Sequence, residues 1–127
     1  MSRILLSVSI LAVAAFASTA QARPFLPDDV VNEIRVSSPD ISPDGRRIVY
    51  EVSAPDPARD ASVSQVWMAN WDGSGTRQLT FREGLNHGTP KFSPNGSVIG
   101  FLSSRDDEEE ESQLWLLPLA GGEAYAL

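Results

Sequence analysis

Apolar residues in this chain come in short alternating runs, and no window sustains the 3.6-residue spacing of an amphipathic helix. From Arg47 to Ser53, Ile48, Tyr50 and Val52 fall on one side of an extended strand, with Arg47, Val49 and Glu51 on the other. Val98 to Ser103 repeats this run, and Gln65 to Asn70 is answered by Gln113 to Leu117. A common punctuation introduces both sets. Pro39-Asp40-Ile41-Ser42-Pro43-Asp44-Gly45 recurs 51 residues later as Pro90-Lys91-Phe92-Ser93-Pro94-Asn95-Gly96. In each, proline presets φ, Asp or Asn suits the next position and glycine takes the left-handed one, which predicts a type I turn closing a hairpin.

Further matches follow in order: Gln65-Val66-Trp67-Met68 with Gln113-Leu114-Trp115-Leu116, Asp72-Gly73 with Ala120-Gly121, and Arg77-Gln78-Leu79 with Tyr125-Ala126-Leu127. A period of about 50 residues holding four short strands is a propeller-blade signature. The expected fold is all-β: two four-stranded antiparallel blades of an incomplete β-propeller, preceded by a short helix and a signal peptide. In the first blade the predicted strands run 40–42, 47–53, 65–70 and 76–80; in the second, 90–93, 98–103, 113–117 and 123–127. Pro55 and Pro57 predict a loop over 54–62.

The organisation that follows is a signal peptide over 1–22, a lead-in segment with a short helix over 23–36, blade 1 over 37–80 and blade 2 over 81–127. Arg3 supplies a positive start, Ile4 to Ala17 an uncharged apolar run, and Ala20-Gln21-Ala22 an A-x-A cleavage site. That run is too short to span a bilayer, which needs about 18 or more apolar residues. Export to the periplasm or beyond, with cleavage after Ala22, is the expectation. Ser18-Thr19-Ala20 offers a second site. In the lead-in, Pro27 before Asp28 and Asp29 suits a helix first turn, with Val30 and Ile34 on one face to pack against the first blade.

Two blades leave sheet uncovered. Strand spacing and length give about 350 Å² per exposed face, worth on the order of 9 kcal/mol of forgone apolar burial. Propellers avoid this by closing a ring of about 4–8 blades. Leu127 aligns with Leu79, inside the fourth strand, so the sequence reads as the N-terminal part of a longer protein.

Charge and chemistry then narrow the function. The 127-residue chain carries a formal net charge of −7, against a nucleic-acid partner, since such proteins concentrate Lys and Arg. It has no cysteine, hence no disulfide or thiolate metal site and no lipoprotein anchor. His87 is the lone histidine; with no nucleophile elbow, a surface loop position is expected rather than a triad role, and a histidine-based zinc site is out of reach. Asp106 to Glu111 is an unbroken acidic run that reads as a solvated loop, because it lacks the ligand spacing and glycine of a calcium loop. Trp67 and Trp115, at matched positions, are expected to pack between blades. Gly73-Ser74-Gly75 and Gly121-Gly122 read as hairpin turns. No catalytic, cofactor-binding or metal residue is assigned, and no cofactor.

The ordered set of Ser42-Pro43-Asp44-Gly45, Ile48-Val49-Tyr50, Gln65-Val66-Trp67, Asp72-Gly73, Gln78-Leu79-Thr80, Ser93-Pro94-Asn95-Gly96, Phe101-Leu102-Ser103-Ser104-Arg105, Gln113-Leu114-Trp115 and Gly121-Gly122-Glu123 resembles the opening of a secreted prolyl oligopeptidase family serine peptidase, in its acylaminoacyl-peptidase or dipeptidyl-peptidase-like branch. The resemblance implies a propeller that restricts access of short peptides to a C-terminal α/β-hydrolase domain, with the nucleophile in a Gly-x-Ser-x-Gly elbow. No such pentapeptide occurs in this chain. The implied partners are that domain of the parent chain and peptide substrates, with no nucleic acid and no membrane after signal cleavage. The blades also resemble the TolB-type periplasmic propeller, a binding scaffold, but its propeller follows a sizeable α/β domain for which 23–36 leaves no room.

Overall fold

The structure, a computed structural model, describes residues 23–81, 85–104 and 111–127. Residues 1–22, where a signal peptide is expected, and most of the acidic run lie outside them. Helix α1 (Pro27–Val31) is followed by strands β1 (Arg35–Ile41), β2 (Arg47–Asp56), β3 (Ala61–Asn70) and β4 (Arg77–Gln78), then by β5 (His87–Phe92), β6 (Val98–Ser103), β7 (Gln113–Pro118) and β8 (Tyr125–Ala126). They form two four-stranded sheets in the orders β1-β2-β3-β4 and β5-β6-β7-β8, every neighbouring pair antiparallel. These are the two blades.

The turn chemistry repeats atom for atom. In blade 1 the Gly45 N–H donates to the Ser42 carbonyl at 2.8 Å, the Arg47 N–H donates to Ser42 Oγ at 2.9 Å, and the Arg46 N–H donates to Asp44 Oδ1 at 3.1 Å. In blade 2 the corresponding bonds are Gly96 N–H to the Ser93 carbonyl at 2.8 Å, Val98 N–H to Ser93 Oγ at 3.0 Å and Ser97 N–H to Asn95 Oδ1 at 3.1 Å. Gly45 and Gly96 stand at φ of 69° and 70°, a conformation that costs glycine nothing and other residues a Cβ clash.

Several expectations change. First, 54–62 is not a loop: β2 and β3 pair out to Asp56↔Ala61, with Pro55 opposite Ser62, leaving only 57–60 as the turn. The β1 pairing ends at Arg35↔Ser53, so beyond Ser53 the ribbon has an open side, where a proline removes no ladder bond. Second, β1 begins at Arg35 and β5 at His87, both earlier than predicted, because each inner strand continues past a bulge, between Ser37 and Asp40 and between Gly88 and Lys91. Third, the helix forms but does not pack. The Asp29 carboxylate accepts the Leu26 N–H at 2.7 Å and pairs with Arg23, yet no helix residue is buried. Val30 and Val31 instead border an open cleft of about 640 Å³ against Pro55, Pro57 and Asp60. With only five residues, α1 presents no apolar stripe long enough to seat on the hairpin.

The outer strands are shorter than predicted. Past Gln78 the ladder continues only by the Leu79 N–H to the Val66 carbonyl, at 2.8 Å. The Thr80 hydroxyl then accepts the Val66 N–H at 3.0 Å, so a side chain replaces the next backbone partner. The core lies between the sheets. Val49, Val66 and Met68 of blade 1 meet Ile99, Phe101 and Trp115 of blade 2 in two adjoining clusters, joined by Leu79, Phe92, Leu117 and Leu119.

Candidate functional site

The two innermost strands, β1 and β5, each have a partner on one edge only and lie against one another across the seam. They share a distortion. Ser38 and Thr89, 51 residues apart, both take positive φ, 52° and 48°, each directly before a proline. For a β-branched threonine this region is a true outlier, and strain of this kind persists only where the surroundings hold it.

Two carboxylates of blade 1 hold it. Glu51, on the seam face of β2, accepts the Thr89 N–H at 3.1 Å and the Ser38 hydroxyl at 3.4 Å. The Gly88 backbone passes so close that a Cβ there would stand 2.7 Å from Glu51 Oε2. Asp40, on β1, accepts the Phe92 N–H at 2.8 Å and pairs with the Lys91 ammonium at 3.0 Å. Burial alone would raise the Asp40 pKa, but the Phe92 N–H and Lys91 together hold it below the usual carboxylate range. At the turn end of the seam the Arg47 guanidinium lies over the Phe92 ring, 5.7 Å from its centroid, and donates to the Gly96 carbonyl at 3.4 Å. These contacts give a polar inner margin to an otherwise apolar seam. They orient strands and bind main chain; they supply no activated nucleophile.

His87 is not on a surface loop. It opens β5 at 2% exposure and meets Phe101 edge-on, centroids 5.6 Å apart. The bulge lets β5 extend back to it, and pairing with Ser103 turns its side chain into the seam. Ser103 beside His87 has the residue types of a nucleophile and base, but at 1% exposure it admits no substrate carbonyl, so the pair belongs to the core. Trp115 packs between the blades as expected. Its counterpart Trp67, by strand alternation from buried Val66 and Met68, lies on the opposite face of blade 1 and is only half-buried. Glu111 is the one residue of the acidic run within the described part. Among the described residues, no three His, Cys, Asp or Glu side chains converge as a metal site.

Sequence reasoning missed Glu51, Asp40 and the bulges. The signal was there: an X-Pro step at the same place in both inner strands, and a carboxylate on the strand face otherwise represented by Val49.

No protein-family profile matches the chain. It is 33% identical over 103 residues to dipeptidyl-peptidase 5 of Porphyromonas gingivalis and 31% identical over 100 residues to the uncharacterized peptidase YuxL of Bacillus subtilis. Each alignment covers 79% of this chain and 15% of the relative. Among solved structures, the acylaminoacyl peptidase of Pyrococcus horikoshii superposes with a TM-score of 0.60 at 17% identity, over 76% of this chain and 14% of that one. The β-propeller domain of the Trilobed protease from Pyrococcus furiosus gives 0.58 at 20% identity, over 73% and 27%. The chain is similar to a propeller segment of prolyl oligopeptidase family peptidases. TolB of Acinetobacter baumannii also superposes, with a TM-score of 0.55 at 18% identity over 71% of this chain and 20% of that one. At such identities the structural likenesses speak for the propeller fold, which prolyl oligopeptidase family peptidases share with TolB; the sequence relatives are peptidases. The chain spans about 15% of the length of those relatives.

Proposed function

We propose that this chain forms the first two blades of a propeller in a secreted serine peptidase that hydrolyses short peptides. The propeller gates access to a catalytic α/β-hydrolase domain carried elsewhere in the same protein. The observation that carries the reading is the 33% identity to dipeptidyl-peptidase 5 over most of the chain. The blades themselves supply walls: β1 and β5 would line the channel of a closed ring, and selection there would be by width and by the polar groups of the inner margin.

A second reading, a TolB-like periplasmic binding scaffold, is favoured by the superposition on TolB. The two separate on the full-length product. Under the peptidase reading it reacts with a fluorophosphonate probe and releases chromophore from dipeptidyl or acylaminoacyl substrates, both abolished by replacing the serine of a Gly-x-Ser-x-Gly elbow. A full-length product with no elbow, no labelling and no turnover overturns the peptidase reading in favour of the scaffold. Export is checked separately by terminal sequencing: the mature chain should begin at Arg23, and one beginning at Met1 refutes secretion by cleavage.

A further inference from the structure

We propose that the seam between the two blades is closed by an acid-releasable latch, in which the Asp40 carboxylate of blade 1 holds the Phe92 N–H and the Lys91 ammonium of β5 in blade 2, with Glu51 bracing the Thr89 N–H beside it, so that protonating Asp40 frees β5 before either blade unfolds.

The argument starts from what β5 lacks. Its pairing with β6 runs from His87↔Ser103 to Gly88↔Leu102, breaks, and resumes at Lys91↔Gly100. Within the break Pro90 has no N–H, and the Thr89 N–H is turned out of the ladder by its positive φ. Glu51 takes that N–H and Asp40 takes that of Phe92. Both acceptors come from the other blade: the Asp40 bond is partly buried, where a main-chain donor must find an acceptor, and the Glu51 bond lies at the exposed margin. Charged acceptors bind an N–H about twice as strongly as neutral ones, so protonating Asp40 weakens its bond to the Phe92 N–H and removes its attraction to Lys91.

The latch is particular to this seam. In the repeat, the position of Asp40 is taken by Lys91 and that of Glu51 by Leu102. The blade architecture therefore does not require carboxylates at these positions.

Other charged groups face the same place. Lys91 pairs with Asp40, Arg47 of β2 reaches Gly96 and Phe92, and His87 begins β5 within the seam. The test must separate His87 from Asp40.

The sign follows from Asp40. Its pKa is depressed in the folded chain, so its contribution is complete above the ordinary aspartate value of about 3.9 and is lost as pH falls through the lower folded value. Release is therefore expected below about pH 4.

The test is hydrogen exchange of the full chain between pH 6 and pH 3, corrected for intrinsic chemistry, comparing the Thr89 and Phe92 amides with those of β3. In the wild type, protection of the Phe92 amide should begin to fall below about pH 4 while β3 protection holds, a local opening rather than global unfolding. Asp40→Asn keeps an acceptor without a titrating proton, and should flatten the Phe92 response. His87→Gln should leave the response in place. Gly88→Ala, which crowds Glu51 Oε2, should expose the Thr89 amide already at pH 6 while the Phe92 amide stays protected. Parallel loss in β5 and β3, an unchanged Phe92 response in Asp40→Asn, a response that disappears with His87→Gln, or a protected Thr89 amide in Gly88→Ala would each overturn the proposal.

Discussion

The buried seam and the two free faces are built from the same positions of the repeat. Val66 and Met68 of blade 1 are sealed against blade 2, whereas their counterparts Leu114 and Leu116 border an open apolar cleft of about 460 Å³ with Gly100 and Leu102. Conversely, Phe101 is 2% exposed and Trp115 is buried, while their counterparts Tyr50 and Trp67 are only half-buried on the far side of blade 1. The seam shows what each free face is shaped to receive. Blade 1 presents outward the kind of surface that blade 2 presents inward, and the reverse. The difference also shows that burial here belongs to the neighbour rather than to the residue: similar side chains in the same strand position count as core or as surface according to whether a sheet lies opposite.

The sharpest way to break this comparison is to truncate both sides. Phe101→Ala should destabilise the chain by about 3–5 kcal/mol, as for a buried aromatic in a close-packed core, whereas Leu114→Ala, at 41% exposure, should cost about 1 kcal/mol or less. Urea denaturation of the two variants checks this, and equal losses would mean that the seam is not the core. A smaller contrast lies in the turns. Gly45 and Gly96 have nearly the same φ, but a Cβ on Gly96 would stand 3.3 Å from Pro43 Cδ in the other blade, while one on Gly45 meets nothing within 4 Å. Gly45→Ala should cost about 1–2 kcal/mol from backbone strain alone, and Gly96→Ala more, measured by the same denaturation.

Smaller still is the loss of one turn hydroxyl. Ser42 is buried and Ser93 only partly so, so Ser42→Ala should cost about 1–2 kcal/mol by stranding the Arg47 N–H, and Ser93→Ala less. The least effect is expected at Asp44. The Ser42 hydroxyl, and after it the Arg46 N–H, hold its carboxyl below the usual range. Its contribution is therefore present at neutral pH and fades as pH falls below that range. Asp44→Asn copies what Asn95 already does in blade 2, so thermal melts at pH 7 should match the wild type, while those at pH 3 should lack the part of the acid loss due to this group.

How much of this was legible in the sequence depends on the range of the interaction. The Ser-Pro-Asp-Gly and Ser-Pro-Asn-Gly turns are local, and β6 runs from Val98 to Ser103 as its alternation predicts. The ribbon through Pro55 was misread because the rule against proline in a strand applies to ladders occupied on both sides, and only the fold shows that β1 stops at Arg35↔Ser53. His87 was misread for a related reason: asparagine and glycine beside it suggest a loop, while its burial comes from a sheet contributed by the other half of the chain. Glu51 and Asp40 acquire their roles from amides 38 and 52 residues away, a separation that no window of sequence spans.

The paired distortions at Ser38-Pro39 and Thr89-Pro90 have a consequence for anything that slides along the inner margin. An unpaired strand edge is a template, and an extended chain laid beside it would zip into a further strand, residue after residue. Here the zipper has missing teeth. Each proline offers no N–H, the Thr89 N–H is already engaged by Glu51 and the Phe92 N–H by Asp40, and the left-handed residue breaks the register. That edge is therefore interrupted as a template for a further strand.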